Sequence, residues 1–98
     1  GVDEMLVYNK SFYPNDIFPR LDFSKIKKQL KLIDNDLSDF GSICIIEKEH
    51  YTISVNSIGE INVYYDLEYE NKVYRIVYEI EKLFKSQVGR FSISTYRN

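Results

Sequence analysis

The chain has 98 residues, of which 44% are hydrophobic and 15% aromatic, and its 13 basic and 15 acidic side chains leave a formal net charge of −2 at pH 7. This length and apolar content predict one compact domain spanning residues 1–98, with a hydrophobic core of its own. The slightly acidic balance excludes a domain-wide basic field, which is the strongest electrostatic signal of a nucleic-acid-binding protein.

The first predicted element is a strand over residues 4–9. Pro14 and Pro19 follow it, and proline has no backbone N–H to donate to a neighbouring strand. We therefore expect an irregular connection between this strand and the next element.

The next predicted element is a helix over residues 23–33, because its apolar side chains recur on one helical face. The residues on that face are Phe23, Ile26, Leu30 and Ile33. Asp22 or Ser24 is expected to cap the helix, since a short oxygen-bearing side chain can accept a hydrogen bond from its first free N–H groups.

Three strands are predicted in succession after a polar loop at residues 34–41, because apolar residues then recur at every second position. The predicted strands cover residues 42–48, 51–57 and 60–66. Residues 43–46 are apolar without interruption, which indicates a strand that is interior or partly covered on both faces. Gly59 supplies the permissive backbone that the turn between the last two strands needs.

A second helix is predicted over residues 71–86, where the period of the apolar residues becomes helical. Its apolar stripe is formed by Val73, Ile76, Val77, Ile80, Leu83 and Phe84. Asn71 is expected to cap the start of this helix, and Gly89 is expected to terminate it. Alternation over residues 91–96 predicts a last strand.

These elements predict an α+β fold of order β-α-β-β-β-α-β, in which an antiparallel sheet of four to five strands has two helices packed on one face. The other face, here called the open sheet face, is then left to solvent or to a partner. Small hydrogen-bonding side chains on this face allow a backbone or a groove to approach closely. The candidate binding residues are Thr52, Ser54, Asn56, Asn62, Tyr64, Ser92, Ser94 and Tyr96.

The residue types that carry catalysis are sparse. His50, the only histidine, is expected at an exposed turn, and Cys44 is expected in the core because its strand is apolar. Asp34, Asp36 and Asp39 could ligate a hard cation, but they do not match the spacing of an EF-hand loop. We therefore predict no catalytic residue, no metal site and no cofactor, and we expect these three carboxylates to make local turn hydrogen bonds.

A basic arc is predicted on the polar side of the first helix, where it could meet phosphate groups, although a lysine face opposite an apolar stripe is ordinary for a surface helix. The arc consists of Arg20, Lys25, Lys27, Lys28 and Lys31. Tyr74 and Tyr78 flank the stripe of the second helix and could anchor a protein partner.

Cys44 has no cysteine partner within the chain, which favours a reducing compartment, so we expect a cytoplasmic protein. No apolar run approaches the ~20 residues that a membrane-spanning helix needs, and no membrane partner is expected.

Two segments resemble a known family. Residues 20–26 (Arg-Leu-Asp-Phe-Ser-Lys-Ile) are similar to the start of that family's first helix. Residues 51–63, in which a Ser-containing turn ends in Gly59, are similar to that family's hairpin. The family is the TATA-box-binding-protein-like fold, of which this chain resembles a single repeat. Its members bind the minor groove of DNA through a concave sheet, with two repeats in one chain and phenylalanine wedges. Glu60 replaces the basic residue that typically follows the glycine, and no Phe lies in the hairpin. The resemblance therefore supports the fold more than the function, and DNA binding is not carried over residue by residue.

The sequence therefore predicts a small non-catalytic interaction module that contacts another protein, or associates weakly with itself as a homodimer, through the polar sheet face or a sheet edge. The alternative is a nucleic-acid-binding module that uses the sheet face and the lysine-rich helix. The third interpretation is an enzyme with a metal site in the acidic loop, which is the loop that carries Asp34, Asp36 and Asp39.

Overall fold

The computed structural model describes the backbone of residues 5–14, 21–85 and 87–97, and the side chains of Val7, of residues 21–85 and of Gln87. Within these residues, six strands, two α-helices and one 3-10 turn follow one another. They are β1 (Met5–Pro14), α1 (Phe23–Ile33), β2 (Ser38–Asp39), β3 (Ile43–Glu47), β4 (Tyr51–Asn56), β5 (Glu60–Asp66), the 3-10 turn (Leu67–Tyr69), α2 (Glu70–Lys85) and β6 (Val88–Arg97).

All six strands form one antiparallel sheet of order β2-β3-β4-β5-β1-β6. Strands β3, β4 and β5 form the predicted meander, and β1 lies between β5 and β6. The predicted α+β class is confirmed. The sheet has one strand more than expected because Ser38 and Asp39, inside the predicted loop, pair with Ile45 and Cys44.

Alternation along β4 and β5 places one set of apolar side chains against both helices, where they are fully or almost fully buried. The sheet contributes Cys44, Ile46, Tyr51, Ile53, Val55, Ile61, Val63 and Tyr65, and the helices contribute Phe23, Ile26, Leu30, Val73, Val77, Ile80 and Phe84. The predicted stripe of α2 is confirmed, with Ile76 and Leu83 packed at its margin. This shared core fixes the sheet as a layer with helices on one side.

Helix α1 has its predicted bounds, and Asp22 caps it by accepting a hydrogen bond from the backbone N–H of Lys25 at 3.2 Å. Helix α2 begins at Glu70, because the 3-10 turn continues directly into it. The prediction that Asn71 caps α2 is therefore wrong, since this residue lies inside its first turn. Tyr65 instead donates a hydrogen bond to the Glu70 carboxylate at 2.9 Å and ties the start of α2 to the sheet.

The outer strands are longer than predicted. Strand β1 runs on to Pro14 and β6 begins at Val88, because the two strands pair with each other along almost their whole length. The prediction that Gly89 terminates the second helix is wrong, since α2 ends at Lys85 and Gly89 lies within β6. Pro19 lies outside the described residues.

The turn between β4 and β5 needs a glycine. Gly59 has a φ of 91°, in the left-handed region that side chains rarely adopt. The Asn56 side chain accepts hydrogen bonds from the backbone N–H groups of Ile58 and Glu60 at 3.2 and 3.0 Å, which closes the turn. The register of the β4–β5 hairpin depends on this turn.

The first prediction concerns the core. Ile80→Ala is expected to lower the free energy of unfolding by about 2 to 5 kcal/mol, because Ile80 is fully buried and the truncation leaves a cavity. Ile58→Ala is the matched control, since Ile58 is 69% exposed and its loss should cost less than about 0.5 kcal/mol. Denaturant unfolding measures both values, and equal losses would contradict this packing.

Candidate functional site

The open sheet face brings together the predicted binding residues of β4 and β5. Thr52, Ser54, Asn56 and Asn62 are half-buried and Tyr64 is 46% exposed, on the side of the sheet away from the helices. Thr52 pairs in register with Tyr64, and Ser54 pairs with Asn62. The backbone register of β6 aligns the remaining predicted residues with β1, and their side chains lie outside the described set. These residues are Ser92, Ser94 and Tyr96.

The open sheet face is less polar than its β4 and β5 residues alone suggest. Ile43 and Ile45 of β3 are half-buried and pair in register with Asn56 and Ser54. Their neighbours Cys44 and Ile46 point the other way and are buried in the core. The apolar run of β3 is thus partly covered on both faces, as predicted.

The two edges of the sheet differ. On one side the edge is β2, which has two residues and covers only part of β3. On the other side the edge is β6, a strand of ten residues. Within the part of the chain that the structure describes, β1 is the only strand paired with β6. The backbone N–H and C=O groups on the outer side of β6 therefore point away from the sheet.

The lysine face of α1 consists of Lys25, Lys28 and Lys31, which are exposed, and Lys27, which is half-buried. The Nζ of Lys27 is 3.3 Å from the Asp39 carboxylate and donates a hydrogen bond to the Gly41 carbonyl at 3.1 Å. Arg20 lies outside the described residues. Because α1 packs on the helix side of the sheet, the core separates this lysine face from the open sheet face.

The carboxylates of the acidic loop are held by lysines and by turn N–H groups. Lys48 pairs with Asp34 at 3.2 Å and with Asp36 at 2.9 Å. The Asp34 carboxylate also accepts from the Asp36 N–H, and the Asp39 carboxylate accepts from the Gly41 N–H. The local hydrogen bonds expected of this loop are confirmed for Asp34 and Asp39.

Cys44 is fully buried on β3, as expected. Burial raises the pKa of its thiol, and the nearby Asp39 carboxylate raises that pKa further. Both effects disfavour the thiolate, which is the reactive form.

His50 lies in a cluster that sequence reasoning missed. Its side chain is 33% exposed, and its Nδ1 is 2.8 Å from an oxygen of the Asp66 carboxylate. Its ring stacks on Tyr69 with 4.5 Å between the centroids and 8° between the planes. The expectation of a simple exposed turn residue is therefore wrong, because the hairpin register carries Asp66 and the 3-10 turn to His50.

The pKa of His50 is raised mainly because its ring N–H donates a hydrogen bond to the Asp66 carboxylate. Burial opposes this effect, and the negative charges of Glu49, Asp66 and Glu68 add to it. The imidazolium form is thus favoured in the folded protein.

A cleft of about 490 Å³ lies beside this cluster, between the end of α1, the β3–β4 turn and α2. Its walls include Ile33, Tyr51, Tyr69 and Ile76, with His50 and Lys72 at its polar side. A His–Asp pair can orient a general base, and among the described residues the cleft places no Ser, Thr or Cys beside that pair.

Comparison of the chain with protein-family models, with curated proteins and with solved structures gives no match. The resemblance to a TATA-box-binding-protein-like repeat therefore stays a prediction. Among the residues described, no helix is both long and apolar enough to cross a membrane.

The second prediction concerns Cys44. A thiol reagent should label the native protein slowly and the denatured protein quickly, because the native thiol is buried and its pKa is raised. Ser42→Cys in a Cys44→Ala background is the control, since residue 42 is exposed and should label quickly in both states. Equal native rates for the two proteins would contradict the burial of Cys44.

The third prediction concerns pH. Because the folded pKa of His50 is raised above its ordinary value of 6.5, the His50–Asp66 contact should stabilise the fold fully below about pH 6.5. This stabilisation is lost as the pH rises through the raised pKa. His50 is the only histidine, so its ring signal in an NMR titration with chelator present reports the pKa directly.

Asp66→Asn should lower the pKa of His50 and flatten the dependence of stability on pH. Glu49→Gln is the control and should change both much less, because this exposed carboxylate is 3.7 Å from the ring. A pKa of His50 that Asp66→Asn leaves unchanged would contradict the role given to Asp66.

Proposed function

We propose that this protein is a non-catalytic interaction module that associates with a second copy of itself through the outer edge of β6. The observation that carries the proposal is that β6 is a ten-residue edge strand paired on one side only, within the described residues. An edge strand presents a row of unpaired N–H and C=O groups, which are a ready template for another strand. The lone buried Cys44 keeps the expectation of a cytoplasmic location.

The sequence of β6 offers little protection against such pairing. Proteins protect exposed edges with proline, with short strands or with charges. Val88–Arg97 contains no proline, and its only charged residues are Arg90 and Arg97. The opposite edge of the sheet is protected, because β2 is only two residues long.

A second copy is a suitable occupant because β6 can pair with itself without opposing its two arginines. In an antiparallel pair with its two-fold axis at Ile93, Arg90 aligns with Tyr96 and Arg97 aligns with Gly89. A two-fold axis normal to the sheet keeps each residue on its own face, so residues an odd number of positions apart, such as Arg90 and Arg97, are not opposed in a symmetric pair. The register centred on Ile93 is one such pairing, and an isologous pair of this kind closes as a dimer.

The resemblance to the TATA-box-binding-protein-like fold supports the same proposal, because members of that family carry two repeats in one chain. A single repeat leaves one sheet edge without the second repeat. The open sheet face continues across the edge into the second copy. Tyr64, 46% exposed on that face, offers an amphipathic contact for a further protein partner.

Nucleic-acid binding is the alternative, and the exposed Lys25, Lys28 and Lys31 are what favour it. In that case the lysine face acts without the open sheet face, since the core lies between them. Phosphate contacts make affinity fall steeply with salt, so a binding assay with a single-stranded oligonucleotide over a salt series separates this alternative from dimerisation.

The fourth prediction tests the edge. Sedimentation at rising concentration should show a monomer and a dimer in the micromolar range, with the dimer little affected by salt. A strictly monomeric species at high micromolar concentration would contradict the proposal.

Ser94→Pro and Thr95→Pro form the matched pair of variants. The N–H groups of adjacent strand residues point in opposite directions, so one proline removes an outward N–H and the other removes a hydrogen bond to β1. The variant that keeps the fold by circular dichroism should be monomeric. A folded proline variant that still dimerises as the unmodified protein does would contradict pairing through β6.

A further inference from the structure

Three metal-ligating side chains meet at the end of the sheet where β3 turns into β4. His50 comes from that turn, Asp66 ends β5, and Glu68 lies in the 3-10 turn. One ligand atom of each lies within 4.8 Å of the others. We propose that His50, Asp66 and Glu68 bind one divalent transition-metal ion, with Zn²⁺ as the best fit. This site is separate from the β6 edge.

The backbone and the stacked ring hold two of the three ligands in place. The Asp66 N–H donates a hydrogen bond to the His50 carbonyl at 3.0 Å, which joins the two chain segments. Tyr69 stacks on the His50 ring and fixes its plane, with the centroids 4.5 Å apart. The Nδ1 of His50 and the nearest Asp66 oxygen are 2.8 Å apart, a hydrogen-bond distance that must widen by about 0.5 Å to reach the tetrahedral spacing given below. The backbone pairing and the stacked ring therefore place these two ligands next to each other before an ion arrives.

The third ligand needs only a small movement. Two ligands of a tetrahedral zinc ion lie about 3.3 Å apart, given metal–ligand distances near 2.0 to 2.1 Å. The 4.8 Å limit of the cluster thus exceeds the bound spacing by about 1.5 Å at most. Glu68 is exposed, so a rotamer change of its side chain can close this gap.

The charge of the site suits a divalent ion. A neutral imidazole and two carboxylates carry two negative charges, which balance those of the ion. In the part of the chain that the structure describes, no lysine or arginine pairs with Asp66 or Glu68. The acidic loop differs, because Lys48 and Lys27 already occupy its carboxylates. Of the two acidic clusters, the one around His50 is thus available to a cation.

The ligand types select among cations. Imidazole nitrogen is a ligand of zinc and its neighbours in the first transition row, whereas Mg²⁺ and Ca²⁺ take oxygen ligands. Three protein ligands leave the fourth tetrahedral position to water, as in zinc sites that remain open. The ion takes the place of the proton shared by His50 and Asp66, and that proton leaves to solvent.

The fifth prediction is stoichiometric zinc binding. Calorimetric titration of chelator-stripped protein with zinc chloride should show one ion per chain, and a tenfold excess of Mg²⁺ should not displace it. The same titration should shift the NMR signals of His50. The absence of binding at millimolar zinc would overturn the proposal and leave a His–Asp contact alone.

Glu68→Gln should weaken zinc binding at least tenfold and His50→Gln should abolish it, while circular dichroism shows that both variants remain folded. Glu47→Gln is the matched control, because it removes the same charge from another exposed glutamate and should leave the affinity unchanged. Equal weakening by Glu68→Gln and Glu47→Gln would show that zinc responds only to the overall negative charge, and it would overturn the proposed site. Binding seen only when sedimentation shows zinc-induced dimers would likewise overturn an intramolecular site.

Discussion

The structure depends on one constraint, which is that the sheet has a single apolar face and that this face must be covered. Strict alternation along β4 and β5 puts Ile53, Val55, Ile61 and Val63 on the same side, with an exposed area of at most 1% of each residue. Burial of such side chains contributes roughly 1.5 to 3 kcal/mol each, so the sheet is not stable without a cover. Helices α1 and α2 supply that cover from one side.

A sheet covered on one side leaves three kinds of surface for binding, namely its open face, its edges and the turns at its ends. The open face carries polar side chains interspersed with Ile43 and Ile45. The outer side of the β6 edge carries backbone groups with which no described strand pairs. The turns collect residues that the register brings together, as it does for His50 and Asp66. The two proposals use different surfaces of this kind, so self-association and metal binding can fail or succeed independently.

The end of the sheet also shows how strand register decides which side chains meet. Asp66 and His50 are 16 residues apart and meet because Gly59 sets the register of the hairpin between them. Continuing the pairing of Tyr51 with Tyr65 by one residue puts His50 opposite Asp66. The predicted bounds 51–57 and 60–66 imply a two-residue turn, whereas three residues lie between Asn56 and Glu60 in the structure, so the predicted turn did not give this register. Tyr69, which stacks on the His50 ring, comes from a 3-10 turn that the sequence pattern did not predict.

The sequence by itself determined the α+β class, the bounds of α1, the meander and the buried stripe of α2. It did so because each depends on a local period that apolar residues display along the chain. Only the tertiary structure decided that β2 forms, that β1 and β6 extend along each other, and that α2 starts without a cap at Asn71. The reason is that strand pairing and helix starts depend on hydrogen-bond partners far away in sequence, which local propensity does not encode.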